Sequence, residues 1–164
     1  LLKKSMADFA GIGSFMDSDR DEFDYIKIGE DEMFFVCSPD HELVQNGRNI
    51  VSFDKLKKFP FIFREKGSGT RYIFEKDFQR YNELNLELEI NDNDSIISGV
   101  SGSNYISVLS KEIAKKAEDA GLITTLTLKN YPVIAKREIY FLKVKNKEYS
   151  KLKKKFWTYL HDKL

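Results

Sequence analysis

Short apolar runs that favour β-strands alternate with amphipathic helical segments along almost the whole chain of 164 residues. The run Met33-Phe34-Phe35-Val36-Cys37 is apolar at every position, which predicts that Asp31–Ser38 is a central strand buried on both faces. Strands that are separated by helices favour parallel pairing. The sequence therefore predicts an α/β fold with mixed, mostly parallel sheets.

Apolar spacing and capping residues place the other elements. The further predicted strands are Ala7–Phe15, Phe61–Phe63, Leu84–Asn91, Tyr105–Leu109, Leu122–Leu128 and Arg137–Val144. The predicted helices are Phe53–Phe59, Thr70–Tyr81, a short helix capped by Asp94, Lys111–Ala120 and a final helix opened by Ser150. In the final helix, Leu152, Phe156 and Leu160 recur at helical spacing and are predicted to form a buried stripe.

Composition excludes several classes of protein. Hydrophobic residues make up 41% and charged residues 32% of the chain, as in ordinary globular proteins. A net charge of +1 argues neither for nor against nucleic acid. No apolar run approaches the roughly 20 residues that span a bilayer, so we expect no membrane segment and a cytoplasmic location. Cys37, the single cysteine, is predicted to be buried and inert.

Metal and catalytic sites find little support in the residue pattern. His41 and His161 are predicted to be surface histidines rather than a metal-binding pair. Asp92 and Asp94 could form a carboxylate dyad, but a turn followed by a helix N-cap explains them as well. We therefore expect no metal, no cofactor and no catalysis.

The stretch "FIFREKGSGTRYIFEKDF", Phe61–Phe78, carries the most specific signal. An apolar strand ends at Arg64, and Gly67-Ser68-Gly69-Thr70 then opens a helix. Free amides at such a helix start bind an anion or another hydrogen-bond acceptor. The spacing matches neither a P-loop nor the three-glycine dinucleotide fingerprint. From the turn alone, the alternative is that Ser68 only caps its own helix and the glycines only turn the chain.

The same stretch resembles the strand-turn-helix of the effector-binding domain of LysR-type transcription regulators. Other segments are similar to that domain in the same order along the chain: "MADFAGIGSF", "DEMFFVCSPDHEL", "DSIISGVSGSNYISVLS", "AGLITTLTL" and "REIYFLKVKNKEYSKLKKKFWTYL". One departure is that Ser103-Asn104-Tyr105 stands where the family has a glycine-leucine-glycine turn.

The resemblance implies a two-lobed fold like that of type 2 periplasmic binding proteins. Residues 1–32 and 140–164 would form one lobe, residues 33–139 the other, and Met33–Ser38 and Arg137–Val144 would be the crossover strands. The first strand, helix and strand of the family's first lobe have no counterpart in this sequence, and neither has the DNA-binding winged helix-turn-helix. The sequence is thus expected to be an N-terminally truncated effector domain.

The resemblance also implies the function. A small, anionic effector would bind in the cleft between the lobes and control DNA binding and transcription in a bacterial regulator. Gly67, Ser68, Gly69 and Thr70 would hold it from one side, and Ser14 and Phe15 from the other. Such domains pair as homo-oligomers, so we expect a second copy as a partner, and DNA only through the missing N-terminal domain.

Two other functions stay open at this point. A solute-binding protein of a transport system would use the same cleft chemistry. An enzyme similar to prephenate dehydratases is suggested only by "GTRYIF", which faintly resembles a motif of that family. The lysine-rich end, Lys143–Lys163, could touch a DNA backbone, but the solvated face of an amphipathic helix explains it more simply.

Overall fold

The chain divides into two compact units, each with a hydrophobic core of its own. The computed structural model describes residues 2–13 and 17–163, with residues 17–19 described by their backbone only. Unit 1 comprises residues 1–30 and 137–164, and unit 2 comprises residues 31–136. Two long strands, β2 (Phe23–Cys37) and β8 (Ala135–Val144), run from one unit into the other.

Unit 2 contains a mixed sheet. Its remaining strands are β3 (Ile50–Val51), β4 (Pro60–Arg64), β5 (Asn85–Ile90), β6 (Ile106–Ser110) and β7 (Thr124–Leu128). β4 pairs in parallel with both β5 and β6, whereas β6 and β7 each pair antiparallel with β2. β3 pairs in parallel with β7. The order β2-β6-β4-β5 leaves β5 at the edge of the sheet.

Four helices cover the two faces of this sheet. They are α1 (Phe53–Leu56), α2 (Gly69–Asp77), α3 (Asn93–Val100) and α4 (Lys111–Asp119), with a 3-10 helix at Tyr81–Glu83. Side chains of α1 and α2 belong to the core on one face, and side chains of α3 and α4 to the core on the other.

Strand β4 shows how the sequence builds both cores at once. Phe61 and Phe63 join the core beneath α2, and Ile62 joins the core beneath α3. Successive side chains of a strand point to opposite faces, so a strand that is covered on both sides must be apolar at every position. The same reasoning applies to Phe35 and Val36 of β2, which enter opposite cores.

Unit 1 is held together by an aromatic cluster. β1 (Phe9–Ile12) pairs antiparallel with β8, and α5 (Lys151–Lys163) follows β8. A further 3-10 helix covers Asp17–Glu22. The ring of Phe9 stacks on Phe141, Tyr149 and Trp157 at centroid distances of 5.7, 5.8 and 6.0 Å. The hydroxyl of Tyr149 also donates to the Asp8 carbonyl and lies 3.1 Å from the Val144 amide, which donates to it.

The predicted buried stripe of α5 is wrong. Leu152 is 77% and Phe156 is 44% exposed, and Leu160 is only half-buried. The helix turns Trp157 toward the sheet instead, because that indole stacks on both Phe9 and Phe141. Phe156 also packs edge-on against Phe9 and Phe141, at centroid distances of 5.3 and 6.1 Å, so two adjacent aromatic side chains set the rotation of the helix and the aliphatic spacing does not.

Several predicted boundaries also shift. β2 begins at Phe23, eight residues before the predicted start at Asp31, and β1 begins at Phe9, two residues after the predicted start at Ala7. α2 ends at Asp77 rather than at Tyr81, because Phe78 leaves helical geometry with φ −91° and ψ 88°. The N-cap of α3 is Asp92 rather than Asp94, since the Asp92 carboxylate accepts from the Ser95 amide at 2.7 Å.

His41 lies in the interior and not on the surface, which corrects the prediction. The side chain is buried, and its ring packs against Phe59 at 4.5 Å. The Leu43 amide donates to Nδ1 at 3.2 Å, so the ring proton lies on Nε2 and points to the Asn104 carbonyl at 3.3 Å. Burial lowers the pKa of His41, although the bond to Asn104 and the charge of Glu42 act in the opposite direction.

Cys37 is buried as predicted, and burial raises the pKa of its thiol to about 12.

We therefore predict that the unfolding free energy falls when the pH drops below the ordinary histidine value of 6.5. The unfolded chain takes up a proton on His41 near that pH, whereas the folded chain does so only at lower pH. Stability from the neutral ring is thus complete above pH 6.5 and is lost as the pH falls through the folded pKa. Urea denaturation at pH 7.5 and 5.5 measures the difference.

The matched variants are His41→Gln and His161→Gln, since the His161 side chain is 73% exposed. His41→Gln should flatten the change of stability between the two pH values. His161→Gln should leave that change as it is in the wild type. An unchanged pH response in His41→Gln would contradict the prediction.

Candidate functional site

The glycine turn joins the end of β4 to the start of α2. The Glu65 amide donates to the Ile90 carbonyl of β5 at 3.2 Å, and the Ser68 amide closes a turn onto the Glu65 carbonyl at 3.1 Å. Gly67 has φ +94°, a conformation that side chains with a Cβ rarely adopt. The sequence therefore needs glycine at this position for the chain to reverse from the strand into the helix.

Ser68 caps its own helix. Its hydroxyl oxygen accepts from the Arg71 amide at 3.1 Å, and its side chain is buried. The local interpretation of this serine is thus confirmed, and the cap leaves the hydroxyl hydrogen available for a further acceptor. Gly69 is the first residue of α2, and Thr70 follows in its first turn.

A small concavity lies beside this turn. Its volume is about 10 Å³, and it is lined by Phe63, Arg64, Thr70, Arg71, Phe74 and Val108. Such a volume admits about one water molecule. The exposed lining of the concavity is mainly apolar, with the Thr70 hydroxyl and two arginines among the lining residues, and it is too small to enclose an effector.

Arg71 is the buried ion of this region. Its Nε donates to Glu75 at 2.6 Å, and its Nη1 donates to Glu89 at 2.7 Å and to the Arg64 carbonyl at 3.0 Å. The guanidinium thereby ties α2 to the last residue of β4 and to β5. Burial lowers the pKa of Arg71, but the hydrogen bonds to the two glutamates outweigh it, so the net shift is upward.

Arg64 holds its guanidinium toward Asn93, the first residue of α3. Its Nε and Nη2 donate to the two Glu65 carboxylate oxygens at 2.8 and 3.0 Å, and its Nη1 donates to Asn93 at 3.2 Å. Hydrogen bonding from Arg64 is the main cause that lowers the pKa of the Glu65 carboxyl. A second cation thus lies at the concavity in an organised and already paired state.

Neither arginine is among the site residues predicted from the sequence. Arg64 ends a buried strand directly before the turn, and Arg71 stands four residues before Glu75, a spacing that favours an ion pair on a helix. These two signals were present in the sequence. What it could not show is that Glu89, from another strand, completes the pairing of Arg71.

The four residues of the turn predicted as effector-binding, Gly67, Ser68, Gly69 and Thr70, lie together at the start of α2. Ser14 and Phe15, predicted to contact the effector from the other lobe, lie outside the described residues. The Ser103–Tyr105 loop is committed to structural bonds, since the Asn104 carbonyl faces His41 and the Tyr105 hydroxyl donates to Glu87 at 3.0 Å.

Two other kinds of site were considered from the sequence, a metal site and a carboxylate dyad. Among the residues that the structure describes, no group of three or more His, Cys, Asp or Glu side chains could hold a metal ion. Of the two carboxylates that could have formed a dyad, Asp92 serves as the N-cap of α3. None of the described helices is long and apolar enough to cross a membrane.

Comparison with protein-family models decides the family. A model described as the LysR substrate binding domain matches residues 2–164. The chain belongs to this family. The resemblance that the sequence motifs indicated is thereby confirmed over the whole chain, and not only at the glycine turn.

The curated relatives are transcription regulators. A HTH-type transcriptional regulator of Methanocaldococcus jannaschii, MJ0300, is 31% identical over 163 residues, which are 97% of this chain and 53% of that protein. The HTH-type transcriptional activator CmpR of Synechocystis is 31% identical over 136 residues, which are 81% of this chain and 43% of that protein. The LysR-domain chain thus spans about half the length of the relatives that it matches.

Solved structures confirm the fold. The CcmR regulatory domain of Synechocystis PCC6803, in complex with 2-PG, is 26% identical, with a TM-score of 0.79 over 97% of this chain and 74% of that one. The effector-binding domain of QuiR, in complex with shikimate, is 18% identical, with a TM-score of 0.78 over 96% of this chain and 71% of that one. A phosphate transport receptor of Vibrio cholerae has a TM-score of 0.61 at 15% identity, which relates the fold to type 2 periplasmic binding proteins.

We predict that Arg71→Gln destabilises the LysR domain by about 1–3 kcal/mol, because it removes a buried donor from two carboxylates and a carbonyl. Urea denaturation followed by circular dichroism measures the loss. Lys116→Gln is the matched control. It breaks a pair with Glu112 in which both side chains are more than two-thirds exposed, and it should cost less than about 0.5 kcal/mol. Equal losses in the two variants would show that the Arg71 pairs carry no special weight.

Proposed function

We propose that this chain is the effector-sensing domain of a LysR-type transcription regulator and that it binds a small anion at the Gly67–Thr70 turn. The observation that carries the proposal is the N-terminus of α2, which follows the glycine turn at the end of β4. The CcmR domain, whose fold this chain shares, was solved in complex with 2-PG. The transcription regulators among the curated relatives support the role in control of gene expression.

The charge of the ligand follows from the groups that surround the turn. α2 has nine residues, so its first amides and its dipole present partial positive charge at Gly69 and Thr70. Arg64 and Arg71 line the same concavity and add two formal positive charges. Their glutamate partners Glu65, Glu75 and Glu89 carry three formal negative charges, which exceed the charge of the two arginines, so the attraction for an anion rests on the helix start. The remaining attraction is directional, toward hydrogen-bond acceptors that reach the free amides and the Thr70 hydroxyl.

Regulation would then work by population shift. A ligand that binds one conformation of the domain better than another raises the population of that conformation. Residues outside this chain would convert the change into altered DNA binding in the cytoplasm. The proposed role needs neither catalysis nor a cofactor. Ser14 and Phe15 stay predicted effector-contacting residues.

The test is calorimetric titration of the LysR domain with 2-PG and with shikimate. Thr70→Val removes one hydroxyl and keeps the side-chain volume, so it should weaken binding of the preferred anion by about 0.5–1.5 kcal/mol, or roughly two- to tenfold. Thr124→Val on β7 is the matched control and should bind like the wild type. Binding that is unaffected by Thr70→Val, or identical in both variants, would place the effector elsewhere.

We further propose that the chain associates with a second copy through the open edge of its sheet. β5 is the last strand of the unit 2 sheet, and its Leu86 and Leu88 are exposed at 37% and 42%. An edge strand with apolar side chains and unpaired backbone groups is a template for pairing with another chain. The homo-oligomer expected for the family supports a partner of this kind.

Leu88→Glu should therefore lower the apparent mass of the domain in light scattering on a sizing column at high protein concentration. The matched control is Leu122→Glu, since Leu122 is a similarly exposed leucine, at 44%, after α4. That control should keep the mass of the wild type. A mass that stays the same in Leu88→Glu would exclude this edge as the contact.

A further inference from the structure

A wide cavity in unit 2 shares no lining residue with the concavity at the Gly67–Thr70 turn. It has a volume of about 1010 Å³ and runs along β3, between the turns that follow β2 and the segment of α1. We call it the β3 groove. Neither the family comparison nor the proposed effector site accounts for it.

The floor of the β3 groove is apolar. Val51 belongs to the core beneath α2, and Leu43 and Phe59 are half-buried and pack against the same core. Ile50, the other residue of β3, also lines the groove and is 62% exposed. The exposed isoleucine and the half-buried leucine and phenylalanine side chains give a ligand apolar surface within an otherwise polar groove.

The rim carries three cations, Arg48, Lys55 and Lys58. Within the described part of the chain, none of the three forms an ion pair. Lys57, which lies between the latter two in sequence but does not line the groove, pairs with both Asp54 and Glu83. Lys57 is therefore paired, whereas none of the three cations that line the groove forms an ion pair among the described residues.

The remaining polar groups of the groove leave this charge uncompensated. Glu42 is the one carboxylate among the lining residues, so the groove has a net charge of +2. Ser52 stands at the N-cap of α1, yet its side chain makes no cap hydrogen bond. Its hydroxyl is thus available to a ligand in the groove.

We propose that the β3 groove is a second ligand site and that it takes a small organic anion with an apolar body. The unpaired cations and the net charge of the rim select for negative charge, and the floor selects for an apolar or aromatic group. A volume of about 1010 Å³ lies at the upper end of the range for small-molecule sites. A peptide that adds a strand is the weaker fit, because β3 offers only two residues for main-chain pairing.

The probe is 2-naphthyl phosphate, which combines a planar apolar body with a doubly charged group. Amide chemical shifts of the isotope-labelled LysR domain are followed during titration with this compound, with neutral 2-naphthol and with inorganic phosphate. We expect saturable shifts at Arg48, Ile50 and Lys58 with the probe. 2-Naphthol lacks the charged group and inorganic phosphate lacks the apolar body, so each should bind at least about tenfold more weakly than the probe.

Three variants assign the contacts. The double variant Arg48→Gln with Lys58→Gln should weaken the probe about tenfold or more, because it removes two charge-assisted partners. Ile50→Thr should weaken the probe but leave the response to inorganic phosphate unchanged. Lys115→Gln, an exposed lysine on the solvent face of α4, is the matched control and should bind the probe like the wild type.

Each alternative outcome overturns the proposal. Shifts confined to Gly67–Thr70 would mean that the probe uses only the effector site. Binding that survives the double variant, or falls equally in Lys115→Gln, would reduce the groove to unspecific surface charge. Saturable binding of an acidic peptide, Ac-Glu-Glu-Leu-Phe-Glu-NH2, where the naphthyl probe fails, would show a peptide-docking groove instead. Binding of 2-PG or shikimate is measured in the separate calorimetric titration. Its failure would contradict the proposed effector site at the glycine turn and would leave the proposal for the β3 groove unaffected.

Discussion

The ring of Phe35, near the end of β2, is the contact on which the rest of unit 2 depends. It is fully buried and meets Phe61 of β4 and Phe74 and Phe78 of the α2 segment, at centroid distances of 6.0, 5.6 and 5.6 Å. Aromatic pairs of this kind contribute about 0.5–1.5 kcal/mol each beyond the area that they bury. These rings fix α2 over β4, and the glycine turn has to bridge the short distance between them. The position of the candidate effector site is therefore a consequence of core packing.

The charged side chains of unit 2 differ in whether they have a partner: some are paired within the fold, and others are free to bind a ligand. Arg71 is buried, and its Nε and Nη1 groups donate to Glu75, Glu89 and a backbone carbonyl, so the guanidinium holds α2 against β4 and β5. A buried cation is tolerated only with such partners, because an unpaired one loses its hydration. The unpaired cations of the β3 groove lie in solvent, where an absent partner costs little. A ligand that supplies negative charge there competes only with water.

Much of unit 2 could be predicted, because its local and tertiary signals agree. β4, the turn at Gly67 and the start of α2 all follow from a few residues whose backbone requirements are local. The failures lie where a distant residue decides. The rotation of α5 depends on Trp157 meeting Phe9, which is almost the whole chain away, and the aliphatic stripe therefore pointed to the wrong face. His41 is polar and lies in a turn, yet Phe59 and Asn104 enclose it.

The sequence by itself determined the family, the α/β class and the place of the glycine turn, because these depend on the order of elements and on residues within one turn of each other. Tertiary structure alone decided which charges are neutralised. Arg71 finds Glu89 and Lys57 finds Glu83 across 18 and 26 residues, whereas Lys55 and Lys58 find no carboxylate. Pairing depends on separations of a few ångströms between side chains of different elements, and no periodicity along the chain encodes such distances.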